Sequence, residues 1–257
     1  MSGAFYIGAV GLDAQQKALD AIANNISNIN TSAFKRSEVR FTEMLASEPD
    51  GGVVAPDLGA DGITSSGVKA DVAQLLNTQG EIQSTGNPLD LAVDGNGFIE
   101  VMGPGGQTML WRGGSLKVGD QGRLMTASGL ELKANITVPA DSTNLQIGSD
   151  GIVSAKTATD AQPVELGQIM LVKVDDPSSV QPDDGGLYRV PDGVELNDAK
   201  PGEDGTGTLV QGSLERSNVE LNQEMVELLM VQRAYAANAQ VLQAADQFMG
   251  LANGLRR

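Results

Sequence analysis

Residues 213–257 read SLERSNVELNQEMVELLMVQRAYAANAQVLQAADQFMGLANGLRR, and the periodicity of this stretch decides how the rest of the chain is read. Leu221, Leu228, Tyr235, Leu242 and Met249 recur every seven residues, with Met225 and Ala239 at the offset positions between them. Seven residues make two turns of a slightly under-wound helix, so these side chains line one seam suited to a neighbouring helix. A second row, Val241, Phe248 and Leu255, lies on another side of the same helix. A helix that merely covers a globule needs one apolar stripe. Two stripes call for neighbours on two sides.

The other end of the chain matches. Phe5, Leu12, Leu19 and Ile26 are again spaced by sevens, with Ile22 and Ile29 at offset positions and Gly8 and Gln15 interrupting the offset row. Two terminal helices are expected, 1–32 and 213–257, packed as a coiled-coil-like pair. The polar run Asn24-Asn25-Ile26-Ser27-Asn28-Ile29-Asn30-Thr31-Ser32 closes the first helix, because such side chains compete for the backbone and end helices. It reads either as a frayed cap or as an amide ladder that bonds neighbouring helices, and spacing alone favours the cap.

Between the ends the composition changes. Of 32 glycines, 27 lie between Thr31 and Gly212. Residues 33–69 form a connecting segment: Ala33–Leu45 fits a strand or a short helix, and Ala46–Lys69 is too poor in large apolar residues to offset its own ordering entropy. Residues 70–212 read as an all-β domain. Leu89–Val93, Phe98–Val101, Leu130–Leu132 and Ile169–Val174 are short apolar runs separated by Asp94-Gly95, Gly119–Gly122, Asp150-Gly151 and Asp192-Gly193. Asp-Gly suits tight hairpin turns, so an antiparallel barrel or sandwich is predicted, in an α+β chain overall. Trp111 is expected in the core or at a strand edge. The acidic, Pro- and Gly-rich tract Asp175–Gly207 is expected as surface loop pinned by Leu187 and Tyr188.

A net charge of −16 repels phosphates and argues against nucleic acid. Histidine and cysteine are absent, removing the commonest general base, the commonest transition-metal ligand and thiolate chemistry. Asp175-Asp176 and Asp183-Asp184 sit among Pro, Ser and Gly with no apolar setting to tune an acid–base pair. The glycine-rich turns Gly95-Asn96-Gly97 and Gly103–Gly106 lack the Lys-Ser/Thr and helix of a phosphate cradle. No stretch has the spacing of a twelve-residue calcium loop. The chain is therefore read as no enzyme, with no catalytic, metal or cofactor site. No apolar run reaches membrane-spanning length, and MSGAFYIGAVGLDAQQ does not read as a secretory leader.

Several motifs carry a resemblance. Ala23–Arg36 (ANNISNINTSAFKR) resembles the N-terminal signature of bacterial flagellar rod and hook proteins. Val93–Ile99 (VDGNGFI) and Trp111–Leu116 (WRGGSL) are similar to that family's central β-domain motifs. Gly212–Val219 (GSLERSNV), continuing to Met230–Tyr235, looks like its C-terminal signature. The length, with room for one β domain, and the stretch VQRAYAANAQVLQAADQFM are most like the distal-rod branch.

The resemblance implies a structural subunit whose terminal helices form the inner tube of a hollow filament, a drive shaft carrying torque across the periplasm to the hook. It implies copies of itself, other rod and hook proteins, the flagellar type III export apparatus and the outer ring bushing as partners. Leu12, Leu19, Ile22, Asn25, Ile26 and Asn28 at one end are then expected at subunit contacts. Leu221, Met225, Leu228, Tyr235, Leu242 and Met249 are their counterparts at the other. Two rivals stand beside this reading: a hook or proximal-rod subunit of the same family, and a secreted polysaccharide-acting β domain with oligomerisation helices.

Overall fold

The structure, a computed structural model, describes residues 2–45, 65–76, 78–157, 162–174, 179–183, 185–191 and 193–254. Its contacts group the chain into two compact units that are each discontinuous in sequence. The first joins Met1–Ile26, Ser37–Ala73 and Glu220–Arg257; the second joins Ser27–Arg36 and Gln74–Val219.

In the first unit, helix α1 spans Ser2–Ser27 and helix α2 spans Leu221–Gly254. Both are rich in Ala, Leu and Gln, strong helix formers. α1 stops where the predicted Asn- and Ser-rich run begins to turn, with Thr31 N donating to Asn28 O. α2 begins eight residues later than its sequence signature, because Ser213–Glu215 is a strand. The ambiguous segment after α1 resolves as a strand, Ser37–Leu45, paired with Ser65–Gln74. The expectation for Ala46–Lys69 therefore changes at its end, where 65–69 are strand; residues 46–64 lie outside the described ones.

The second unit is built on an open antiparallel sheet. Its path runs from Gln181–Asp183 through Leu187–Arg189, Thr108–Trp111, Phe98–Met102, Glu131–Leu132, Leu124–Thr126, Gly113–Val118 and Asp90–Asp94 to Thr208–Gln211. Leu171–Val174 adds to Phe98–Met102 and carries Leu196–Ala199. A three-stranded sheet, Ser142–Ile147, Ile152–Thr157 and Val164–Gln168, and a ribbon of Ile82–Ser84 with Ser213–Glu215 complete it. Of the expected barrel or sandwich, the barrel does not form, because the sheet stays open. One end strand carries Pro182, which has no N–H to offer another strand. At the other end the Gln211 side chain takes Ile147 N and Leu145 O, which ties that edge to the three-stranded sheet instead.

Side chains alternate across the large sheet, as a two-residue period requires. Leu91, Val93, Ile99, Val101, Trp111 and Leu187 enter one core, shared with Ile147 and Val153 of the smaller sheet. Phe98, Leu110, Val172, Val174 and Tyr188 enter a second core. Trp111 is thus a core residue. Asp150-Gly151 and Gly119–Gly122 do turn hairpins, between strands that pair at Ile147↔Val153 and Val118↔Leu124. Asp94-Gly95 does not, since the strands on either side of it pair with other partners. The Asp175–Gly207 tract is less loop than expected and supplies three short strands; Asp175–Ser178, Asp184 and Asp192 lie outside the described residues.

Candidate assembly interface

α1 and α2 run antiparallel. Asn25 meets Glu224, Gly11 meets Asn238 and Gly8 meets Leu242, so the numbers fall along one helix as they rise along the other. A Cβ on Gly8 would lie 2.7 Å from Leu242 Cδ2; the glycine that looked like a gap in the row is where a leucine seats. Small residues are buried along this row, Ala14, Ala18 and Ala21, with Ile22 and Asn25 beside them. Small residues let two helices approach closely.

Beside Glu227 and Ala239, the residues of α2 that are less than exposed are Glu224, Leu228, Val231, Asn238, Leu242 and Ala245. They alternate with steps of four and three, or seven where Tyr235 is skipped. The expected seam is shifted in part: Leu228, Leu242 and the offset Ala239 are half-buried, but Val231 and Asn238 join them and Met225 does not. Leu221 and Met225 are exposed, at 44 % and 45 %, and Tyr235 at 38 %. Met249 is helical, its side chain outside the described ones. In α1, Leu12, Leu19 and Ile26 are half-buried and Ile22 is buried.

Asn25 and Asn28 part company. Asn25 is fully buried, and its Nδ2 donates to Ser37 O at 2.9 Å and to Glu224 Oε2 at 3.1 Å, while its Oδ1 accepts from Ser37 N at 2.8 Å. One amide thus ties α1 to α2 and to the start of the following strand, which is the amide-ladder reading that spacing alone ranked second. Asn28 belongs to the second unit and accepts from Thr31 Oγ1 at 3.1 Å, which is the cap reading. Glu224, equally buried, sits in the first turn of α2, where the helix dipole favours a carboxylate.

The second unit hides a charge cluster that sequence reading missed. Glu215 is buried between two cations: Lys35 Nζ lies 2.6 Å from Oε1 and Arg112 Nε 3.2 Å from Oε2. Gly80 N also donates to Oε1, at 2.8 Å. Lys35 gives a further bond to Thr78 O at 2.8 Å. Arg112 donates to the carbonyls of Gly95 and Gly97, and its guanidinium lies 5.7 Å from the Phe98 ring centre. Burial pulls the Lys35 pKa below its ordinary 10.5, against the attraction of Glu215 and with a smaller push from Arg112. Tyr188, edge-on to Phe98 at 5.3 Å, has its hydroxyl pKa raised by burial. A visible signal existed: Phe34-Lys35, Trp111-Arg112 and Leu214-Glu215 each place a charge beside a large apolar residue.

Among the described residues no group of three or more Asp and Glu could hold a metal ion. No helix there is long and apolar enough to cross a membrane.

Three family descriptions match this chain. Residues 5–35 match the flagella basal body rod protein family, residues 92–155 the flagellar hook protein FlgE/F/G D1 domain, and residues 210–255 the flagellar basal body rod FlgEFG protein C-terminal domain. The flagellar basal-body rod protein FlgG of Borreliella burgdorferi is 35% identical over 100% of both chains. FlgG of Caulobacter vibrioides is 34% identical over 96% of this chain and 97% of its own, and FlgG of Bacillus subtilis 32% identical over 100% of both. The chain belongs to the flagellar basal-body rod protein family. Each of the three matched regions supplies one member of the buried cluster, Lys35, Arg112 and Glu215 in turn. The rod-family motifs therefore meet in space as well as recurring in sequence.

Proposed function

We propose that this chain is a structural subunit of the distal rod of the bacterial flagellum, polymerising through α1 and α2 into a hollow shaft that carries torque to the hook. The observation that carries this reading is the apolar surface left open on α2: Leu221, Met225, Val226, Leu229, Met230, Val241 and Phe248 are all exposed. So large an apolar area on one helix marks an interaction surface. In the polymer, α1 and α2 of each copy form a coiled-coil-like pair and like copies cover what the pair leaves bare. Leu12, Leu19, Ile22, Asn25, Ile26, Asn28, Leu221, Met225, Leu228, Tyr235, Leu242 and Met249 act at or directly behind these contacts. Neighbours at the ends of the shaft are other rod and hook proteins; the type III export apparatus delivers the subunit, and the outer ring bushing surrounds the result.

Concentrated full-length protein imaged by electron microscopy is expected to form straight tubes, and Leu228→Asp to abolish them while Trp111 emission stays native. Curved, supercoiling tubes would transfer the chain to the hook. Tubes unaffected by Leu228→Asp would remove the helical seam from assembly.

A further inference from the structure

α2 carries a second complete heptad row. Met230, Ala234, Ala237, Val241, Ala244 and Phe248 follow one another at steps of four, three, four, three and four. All six are exposed, Met230 at 64 %, Val241 at 63 % and Phe248 at 72 %. No polar residue interrupts them over roughly 27 Å of helix, at 1.5 Å per residue. The row facing α1 runs through Val231, Asn238, Leu242 and Ala245, so the free row sits one residue earlier, about 100° round the helix. The opposite flank is no rival, because Gln232, Gln243 and Asp246 break it.

α1 has a counterpart. One residue after Gly11, Ala18 and Asn25 come Leu12, Leu19 and Ile26, each half-buried. In an antiparallel pair, one step back on α2 and one step forward on α1 turn in the same sense when both are viewed down a common axis. The rows that face each other point in opposite directions, so equal turns carry the two free rows to opposite faces of the pair.

We infer that the Met230–Phe248 row of one copy packs on the Leu12–Leu19–Ile26 row of a second copy. This rests on the polymer reading and specifies its contact. Rows on opposite faces give a heterologous interface, which builds an open helical filament when its rotation does not close a ring. Alanines at 234, 237 and 244 leave room for the bulky leucines and isoleucine opposite. The remaining outward face of α1 is unsuited: Asp13, Lys17, Asp20 and Asn24 are exposed there, Asp13 and Lys17 being paired at 3.1 Å. Covering those charges with an apolar row would cost their hydration without replacing it.

The chain has no cysteine, so introduced thiols report contacts cleanly. Val241→Cys protein is mixed with Leu12→Cys, Leu19→Cys or Ile26→Cys protein, polymerised, oxidised and run on a non-reducing gel. The inference expects a disulfide-linked dimer of unlike variants with at least one of the three, and loss of that band with Asp13→Cys or with Val241→Cys alone. A dimer formed by Val241→Cys with itself, or with Asp13→Cys, overturns the assignment, as do polymers that give no α1 cross-link. Ala244→Cys, on the same row, replaces Val241→Cys if that variant fails to polymerise. Failure of the unmodified chain to polymerise at any concentration sinks the polymer reading itself and this contact with it.

Discussion

At the scale of single residues, the second unit depends on one carboxylate. Glu215 holds Lys35 and Arg112 in a buried site, and removing one partner of such a cluster leaves uncompensated charge away from water. Glu215→Gln keeps the shape and deletes the charge, so it is expected to cost about 3–5 kcal/mol, read as a lower urea midpoint of Trp111 fluorescence. Lys35 supplies a pH signature. Its native pKa is depressed, so between that value and 10.5 the unfolded chain keeps a proton that the folded chain has shed. Raising the pH through this window favours the folded state. As the pH rises toward 10.5 the parent is expected to gain midpoint relative to Lys35→Met; an unchanged difference would mean that Lys35 titrates alike in both states. The residue signals were partly legible. Asn25 stood in the polar run that closes the first helix, but only the fold shows Ser37 and Glu224 waiting for it.

At the scale of elements, the helices were legible as helices because their apolar residues recur at a fixed period. Their contact phase was not, because a row of sevens with extras on both sides fits more than one offset. The structure selects the offset that puts small residues of α1 against large ones of α2. Gly8 opposite Leu242 makes this testable. Gly8→Leu is expected to drive the helices apart and lower the melting temperature of the helical circular-dichroism signal. Adding Leu242→Ala, which moves the large side chain to the other helix, should recover most of that loss. A double variant no better than Gly8→Leu would show that the two positions do not face each other in solution.

At the scale of the whole molecule, the units interleave in sequence. The four consecutive blocks read from composition, 1–32, 33–69, 70–212 and 213–257, place Lys35 and Glu215 outside the β block, yet both lie in the core of the second unit with Arg112. A fragment of residues 70–212 is expected to lose native Trp111 emission, since Arg112 would be buried without its carboxylate. A fragment of residues 27–219, which restores Lys35 and Glu215, should keep it. Equal emission from both would make the cluster dispensable for folding.

Periodicity, glycine placement and a set of signature motifs were enough to name two terminal helices, a central antiparallel β region and the rod family, because each is a local pattern written along the chain. Where the sheet ends, which heptad offset meets its partner, and that three separate motifs share one buried carboxylate were decided by tertiary structure. Those features join residues tens to hundreds of positions apart, and their energies depend on desolvation and shape, which exist only once the chain has closed around them.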